Sequence, residues 1–306
     1  MTILVREFTA ADAEAVAEVR RSAVPHMVCT GEAVAWEAAS APPGERLRWL
    51  VAEEAGRITG CADAGLRFDS AEPGQAFLHT AVRPQARGRG AGAALVVAAE
   101  QYLTGLGARV VHTWVADDGR SPAFAARHGY ERRRRARFLG LDLATAELPP
   151  LPPESPPGVE LRPTSAFAAD PRPLYEADVE CVADEPGEVT LASTPYEDWY
   201  RLDWERPDLD HELSTVALVD GEVAAYSLAR TDGRERYGSA MTGTRRAYRG
   251  RGLAKLAKLA SLHRARTRGY LLAFTGNDAA NIPMLKINEW LGYRPAADEW
   301  RYAKEL

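Results

Sequence analysis

Apolar and polar positions run through one order twice along the chain. An apolar run around Val5 reads as an opening strand, Val159–Leu161 repeats it, and each is followed by an Ala/Glu-rich amphipathic stretch. Two further apolar runs then read as a hairpin that turns at "EEAGR" in the first half and "VDGEV" in the second. A fourth strand is expected over Gln75–Val82 and over Tyr237–Thr244, each running into an Arg/Gly turn and a helix. Those helices end at "GLGAR" and "RTRGY", where Gly107 and Gly269 suit a left-handed cap. A fifth strand, a last helix closing on "HGY" or "LGY" and a final strand complete each half. Strands and helices interleaved in this way predict an α/β fold in which each half is a mixed sheet flanked by helices.

The duplication is also visible in the letters. "RGRGAG" at Arg87–Gly92 recurs as "RGRGLA" at Arg249–Ala254, 162 residues later. The same offset sets "ARVVHTWVADD" from Ala108 against "YLLAFTGNDAA" from Tyr270; nearby offsets set Gly129 against Gly292 and Gly56 against Gly221. Between the copies lies "ATAELPPLPPESPPG", with six prolines in the nine residues from Pro149 to Pro157, a composition that favours extended polyproline II. The predicted organisation is a domain over 1–143, a proline-rich linker over 144–158 and a second domain over 159–306.

Composition narrows the class. At 306 residues, 46% hydrophobic and 26% charged, the chain is expected to be globular with two cores. No run of 18 apolar residues and no basic-then-apolar N-terminus is present, so the expectation is a cytoplasmic protein without a membrane contact. Cys29, Cys61 and Cys181 are widely spaced and read as buried thiols, with no metal-ligand spacing among them. A net charge of −5 speaks against general nucleic-acid binding.

The Arg/Gly turn carries the candidate chemistry. A strand feeding a glycine-rich turn and then a helix leaves the first helical N–H groups unpaired, with the positive end of the helix dipole behind them. Glycines let the backbone approach a ligand closely, and Arg87, Arg89, Arg249 and Arg251 add guanidinium forks, so a pyrophosphate is the expected occupant. The spacing matches neither G-x-x-x-x-G-K-[ST] nor G-x-G-x-x-G, which excludes the two common nucleotide loops.

Arg87-x-x-Gly90-x-Gly92 and Arg249-x-x-Gly252-x-Ala254 resemble the acyl-CoA pyrophosphate loop of the GNAT acyltransferase superfamily. "HTAVRPQARGRGAG" resembles that family's fourth strand entering the loop, and "GNDAANIPMLKINEWLGYRP" its fifth strand, last helix and closing Gly-aromatic pair. The tandem arrangement is similar in architecture to the mycothiol synthases, whose activity is not carried over because the segment Asn281–Tyr293 differs. The resemblance implies acetyl-CoA as cofactor, held at its pyrophosphate by Arg87, Gly88, Arg89, Gly90, Ala91 and Gly92 and by Arg249, Gly250, Arg251, Gly252, Leu253 and Ala254. It places the pantetheine arm against the backbone of Ala81 and Val82 and of Met241, Thr242, Gly243 and Thr244, with Asn277 or Asn281 bonding its amides. The implied reaction is direct attack of an acceptor amine on the thioester, with N–H groups of the fourth strand polarising the carbonyl and a base taking the proton.

Departures from the family limit the catalytic assignment. Where many members carry a tyrosine acid, four residues before the closing glycine, this chain has Asn288 and Ala125; Tyr293 and Tyr130 after the glycine are candidate acids or core aromatics. The fourth strands lack the family's glutamate base. The C-terminal half keeps both loop and asparagines, whereas the N-terminal half offers Asp118 in place of Asn281, so the C-terminal half is expected to be catalytic; His79 keeps the reverse assignment open. From Glu176 to Glu212 stand 13 acidic residues against Arg201 and Arg206, with Tyr196, Trp199, Tyr200 and Trp204 among them. This segment reads either as the wall of a site for a small, possibly cationic, amine or as helices with solvated carboxylates; Asp184 and Glu185 are its candidate bases. "ERRRRAR" at Glu131–Arg137 is expected to be a solvated edge strand rather than a nucleic-acid site, and "LAKLAKLASLHRAR" a core-packed helix. The expected function is acetyl-CoA-dependent N-acetylation of a small amine; the alternative is a catalytically degenerate acyl-CoA sensor.

Overall fold

A computed structural model describes residues 3–68, 70–185 and 194–306. The chain folds into two compact units, each built on a mixed, mostly antiparallel sheet.

Unit 1 comprises Met1–Ala136 and Ala297–Leu306 together with Val189–Ala192, which lie outside the described residues. Its strands are β1 (Leu4–Glu7), β2 (Arg48–Glu54), β3 (Arg57–Leu66), β4 (Gln75–Val82) and β5 (Val110–Ala116). Neighbours from β1 to β4 are antiparallel, and β4 and β5 are parallel. Helices α1 (Ala13–Ala23) and α2 (Gly31–Ser40) follow β1, α3 (Ala91–Gly105) joins β4 to β5, and α4 (Ser121–Arg127) leads into β6 (Glu131–Asp142). Period-two alternation turns Ala76 and Leu78 of β4 onto α3, where Leu95, Val96 and Ala99 cover them, and places Phe77 and His79 on the opposite face.

Unit 2 comprises Arg137–Glu188 and Ser193–Ala296. It repeats the order with β7 (Val159–Pro163), α5 (Arg172–Val182), α6 (Tyr196–Trp199) continued by a π turn, β8 (Thr215–Val219), β9 (Glu222–Thr231) and β10 (Arg236–Thr244). Helix α7 (Leu253–Thr267), β11 (Leu272–Asp278) and α8 (Ile282–Trp290) follow, before β12 (Arg294–Glu305). Strands β10 and β11 are parallel and their neighbours toward β7 antiparallel. No helix among the described residues is long and apolar enough to cross a membrane.

The units do not coincide with the halves 1–143 and 159–306. In unit 1 the strand beside β5 is the end of the chain, with Glu299–Glu305 of β12 pairing antiparallel to Ala116–Val110. In unit 2 the strand beside β11 is the later part of β6, where Phe138 packs against Gly276 and Gly140 against Phe274. A linear reading assigns each final strand to its own half, because hydrogen-bonding partners of equal pattern are interchangeable in sequence. The linker is likewise part of unit 2 at its start: Arg266 on α7 donates to the carbonyls of Leu143 and Ala146, and His263 lies 2.8 Å from the Pro149 carbonyl. The arginine run is a strand, as expected, but not an exposed edge. Within unit 1, Arg132 stacks on the Trp300 ring at 4.4 Å and Arg135 pairs with Asp298.

Candidate active site

Both Arg/Gly turns adopt one geometry. Gly88 and Gly90 have φ of +79° and +99°, and Gly250 and Gly252 have +77° and +74°, so all four occupy the left-handed region that glycine enters without strain. Gly90 and Gly252 cap α3 and α7. A Cβ built on Gly88, Gly250 or Gly252 would meet nothing within 4 Å, and the amides of residues 88–90 and 250–252 take no backbone acceptor among the described residues. An open concavity lined by N–H groups at a helix start fits a pyrophosphate. The first arginine of each motif is turned inward: Arg87 Nε donates to the Val82 carbonyl and Arg249 Nε to the Thr244 carbonyl. Arg87 and Arg249 therefore brace the loop; Arg89, exposed, lies 3.4 Å from Glu54 Oε2, and Arg251 is exposed.

Each loop closes a pair of strands that part. Pairing of β4 with β5 ends at Phe77/His112, and pairing of β10 with β11 ends at Ser239/Thr275. Ala81–Val82 and Met241–Thr244 lie beyond these points, where the strands' facing backbone edges are no longer bonded to each other. A register shift between Ser239 and Thr242 marks the divergence in unit 2. Gly243 serves packing, since a Cβ there would stand 2.6 Å from Cys181 Sγ on α5.

The two asparagines have separate roles. Asn281 caps α8, its Oδ1 accepting from the Met284 amide at 3.3 Å. Asp118 does the same before α4, accepting from the amides of Arg120 and Ser121, so it replaces Asn281 without loss of role. An Asn or Asp followed closely by proline at a helix start is the sequence signature of such a cap. Asn277, two residues past the last β10–β11 rung, has its Oδ1 bonded by Asn288 Nδ2 at 2.6 Å. Asn288 Oδ1 in turn accepts from Lys258 Nζ at 2.6 Å, and Thr275 Oγ1 lies 3.2 Å from the same ammonium.

Lys258 was not expected in the site. It is 1% exposed, and burial alone brings it down to about 7 from an ordinary 10.5. The spacing Ala254, Lys258, Ser261, Ala265 puts it on the apolar stripe of α7, a signal readable in the sequence. The positions of unit 1 at matching offsets are Val96, Val115 and Ala125, all in its apolar core. The polar chain is specific to unit 2.

The candidate acids and bases of unit 2 fare differently from expectation. Tyr293 is 2% exposed and burial drives its phenol well above its usual value, so it is a core aromatic and not a proton donor. Asn288 is fully buried and holds Lys258 and Asn277 in place. Asp184 is bound by Arg246 at 2.7 and 2.8 Å and by Arg249, and these hydrogen bonds, Arg246 first, hold its carboxyl down to about 2. A carboxylate so stabilised is a poor base. Glu185, next to it, is exposed.

Part of the acidic segment is compensated by arginines, some local and some distant in sequence. Glu180 pairs with Arg245, Asp208 with Arg206, Asp198 with Arg201, and Asp210 with Arg268. Asp178 is buried, accepting from Tyr226 Oη at 2.6 Å and Trp199 Nε1 at 2.9 Å, and burial raises it to about 6. Trp199 and Trp204 are buried in the core, while Tyr196 is covered by Arg172 at 4.0 Å. Glu176, Glu185, Glu197, Glu205 and Glu212 face solvent; Glu188 lies outside the described residues. The segment's charge is thereby neutralised in part, by ion pairs at Glu180, Asp184, Asp198, Asp208 and Asp210.

In unit 1, His79 Nδ1 lies 2.7 Å from Asp63 Oδ2, and its ring stacks on Phe77 at 5.3 Å. His79 sits two residues past the last β4–β5 rung.

Doubled open loops at the ends of parting strands define an acyl-CoA-type transferase fold. Residues 14–130 and 178–292 each match the Acetyltransferase (GNAT) family, and the chain belongs to that family and is an N-acetyltransferase. It is 30% identical over 238 residues to a mycothiol acetyltransferase of Nocardioides sp., covering 73% of this chain and 78% of the relative. A mycothiol acetyltransferase of Nocardia farcinica is 28% identical over 265 residues, 84% of this chain and 82% of the relative. Among solved structures, a tandem GNAT protein from the clavulanic acid biosynthesis pathway has a TM-score of 0.73 at 21% identity, covering 99% of this chain and 98% of its own. A GCN5-related N-acetyltransferase from Sphaerobacter thermophilus has a TM-score of 0.71 at 22% identity, covering 99% and 95%. These likenesses show the tandem fold.

Proposed function

We propose that this acetyltransferase takes its acyl group from acetyl-CoA, transfers it to the amine of a small molecule, and does so in unit 2. The observation that carries the reading is the Lys258–Asn288–Asn277 chain beside an open loop. Lys258 Nζ donates to Asn288 Oδ1, which leaves Asn288 Nδ2 turned toward Asn277. Asn288 Nδ2 then fixes Asn277 Oδ1, and Asn277 presents its N–H donors to its remaining side, where an amide carbonyl of a pantetheine arm fits. Unit 1, with valine and alanine at these positions, has no equivalent.

When bound, acetyl-CoA supplies a thioester that an amine attacks directly. The amides of Gly250, Arg251, Gly252, Leu253 and Ala254 would hold the pyrophosphate, and the edge of β10 past Ser239 that β11 leaves unpaired would orient the arm. The absence of a tyrosine acid is tolerable because a thiolate is a far weaker base than an alkoxide or amide anion, so it leaves without a strong acid. The likeness to mycothiol acetyltransferases agrees with a small-molecule amine as acceptor.

Release of free thiol from acetyl-CoA across a panel of amines tests the reading, with Gly252→Asp compared against Gly90→Asp. Loss of release with Gly252→Asp alone is expected. Loss with Gly90→Asp alone would move the chemistry to unit 1, and acetyl-CoA binding without release on any amine would establish a sensor.

A further inference from the structure

We propose that Lys258 is a positioning residue of the acetyl-CoA site: the proton on its amine sets the direction of the hydrogen-bond chain through Asn288 to Asn277, so that acetyl-CoA and this proton bind together. The role rests on the reading that a pantetheine arm bonds Asn277 in unit 2. Its ground is a row of side chains that reaches from the core to the end of β11. Lys258 and Asn288 are buried, Thr275 is buried beside them, and Asn277 is half-buried. Among the described residues Asn277 makes no side-chain bond besides the one to Asn288, so its amide nitrogen is left for a ligand.

Donors and acceptors give the chain a direction. A charged Lys258 has three N–H donors and no lone pair. Asn288 Oδ1 at 2.6 Å and Thr275 Oγ1 at 3.2 Å accept from it, and the centre of the Tyr293 ring stands 5.4 Å from Nζ. Asn288 then has only Nδ2 to offer Asn277, and Asn277 has only Nδ2 to offer the arm. A neutral Lys258 carries a lone pair, and a neutral amine accepts from an amide N–H more strongly than it donates. The chain then reverses: Asn288 turns Nδ2 to the amine and Oδ1 to Asn277, and Asn277 turns its own Oδ1 outward. Facing a carbonyl of the arm, that oxygen cannot form the hydrogen bond that Nδ2 formed.

The surroundings leave the proton free to exchange. Burial is the whole cause of the fall of Lys258 to about 7, which puts its titration in the neutral range. Tyr293, raised by burial, and Tyr237 of β10, pushed up to about 12 and bonded to Ser261 one turn along α7, are both neutral there. Arg264, further along α7, is bonded to Thr215 of β8, and Lys255, one turn earlier, stands 4.1 Å from the centre of the Trp290 ring on α8. Toward α7, β9 brings Ser227, β11 brings Thr275 and β6 brings Leu139 and Leu141, none of which titrates.

Calorimetric titration of acetyl-CoA into the full chain measures the linkage. If the reversed chain costs one hydrogen bond, the wild type is expected to bind acetyl-CoA about two- to sixfold more weakly at pH 8.5 than at pH 6.5, relative to Lys258→Met with the same ligand. Titration in phosphate and in Tris, whose ionisation heats differ, counts protons: at pH 7.5 the wild type is expected to take up about 0.3–0.5 proton more than Lys258→Met. Asn277→Ala keeps the buried lysine and severs the chain at its outer end, so it is expected to lose the extra uptake, which a through-space effect of the ammonium would keep. Equal uptake in the wild type and Lys258→Met overturns the linkage, and so does full uptake retained in Asn277→Ala. Should Lys258→Met fail to fold, the wild type against Asn277→Ala decides, and an equal pH dependence in the two overturns it. No acetyl-CoA binding in the wild type sinks the cofactor reading, whereas binding without the extra uptake sinks the linkage alone.

Discussion

Replacement of Lys258 by methionine removes a buried ammonium while keeping the length and flexibility of the side chain. The structure sets the size of the effect. Lys258 titrates near 7 in the fold against 10.5 for an exposed lysine, because burial strips water from its charged form. Between those values the unfolded chain binds a proton that the folded chain does not, so stability rises with pH. Raising the pH from 7 to 8.5 is then worth about 1–2 kcal/mol to the wild type and nothing at this site to Lys258→Met. The window stops at 8.5 because burial also pushes Cys61 up to about 12 and Cys181 to about 11, and their unfolded thiols begin to ionise there. Both proteins carry those thiols, so the difference between them isolates Lys258. Urea unfolding of the two at a series of pH values measures it. Parallel stability curves, or a wild type that loses stability relative to the variant as pH rises, would refute the buried-cation account.

Three further outcomes are expected. Asn277→Ala raises the KM for acetyl-CoA about tenfold with little change in kcat, while Asn281→Ala leaves KM alone and destabilises by about 1 kcal/mol through loss of the α8 cap; steady-state kinetics with thermal melts separate them. Asp184→Asn keeps kcat within about threefold, since its carboxylate serves the loop arginines; a fall of 100-fold in thiol release would restore it as the base. Asp178, raised to about 6, holds a proton in the fold that the unfolded chain has lost. Stability therefore falls as pH rises from about 4 to about 6, a slope that pH-dependent melts of Asp178→Asn should lack.

The chain's own letters determined the repeat, the α/β order and the two loops, because glycines with positive φ, hairpin turns and strand periods are local properties that each segment carries by itself. Arg87–Gly92 and Arg249–Ala254 could therefore be placed before any contact was known. Tertiary structure alone decided which charges meet. Asp184 stands 62 residues before Arg246, and Glu180, Asp184 and Asp210 of the acidic segment are met by Arg245, Arg246, Arg249 and Arg268, arriving from the turn after β10, the loop and the residue after α7. The final strands were likewise assigned by pairing, since the patterns of β6 and β12 do not specify which sheet receives them. Lys258 shows both sides of the division: its spacing on α7 marked a buried position, but only folding set Asn288 2.6 Å from its ammonium, and burial without a counter-charge is what perturbs it.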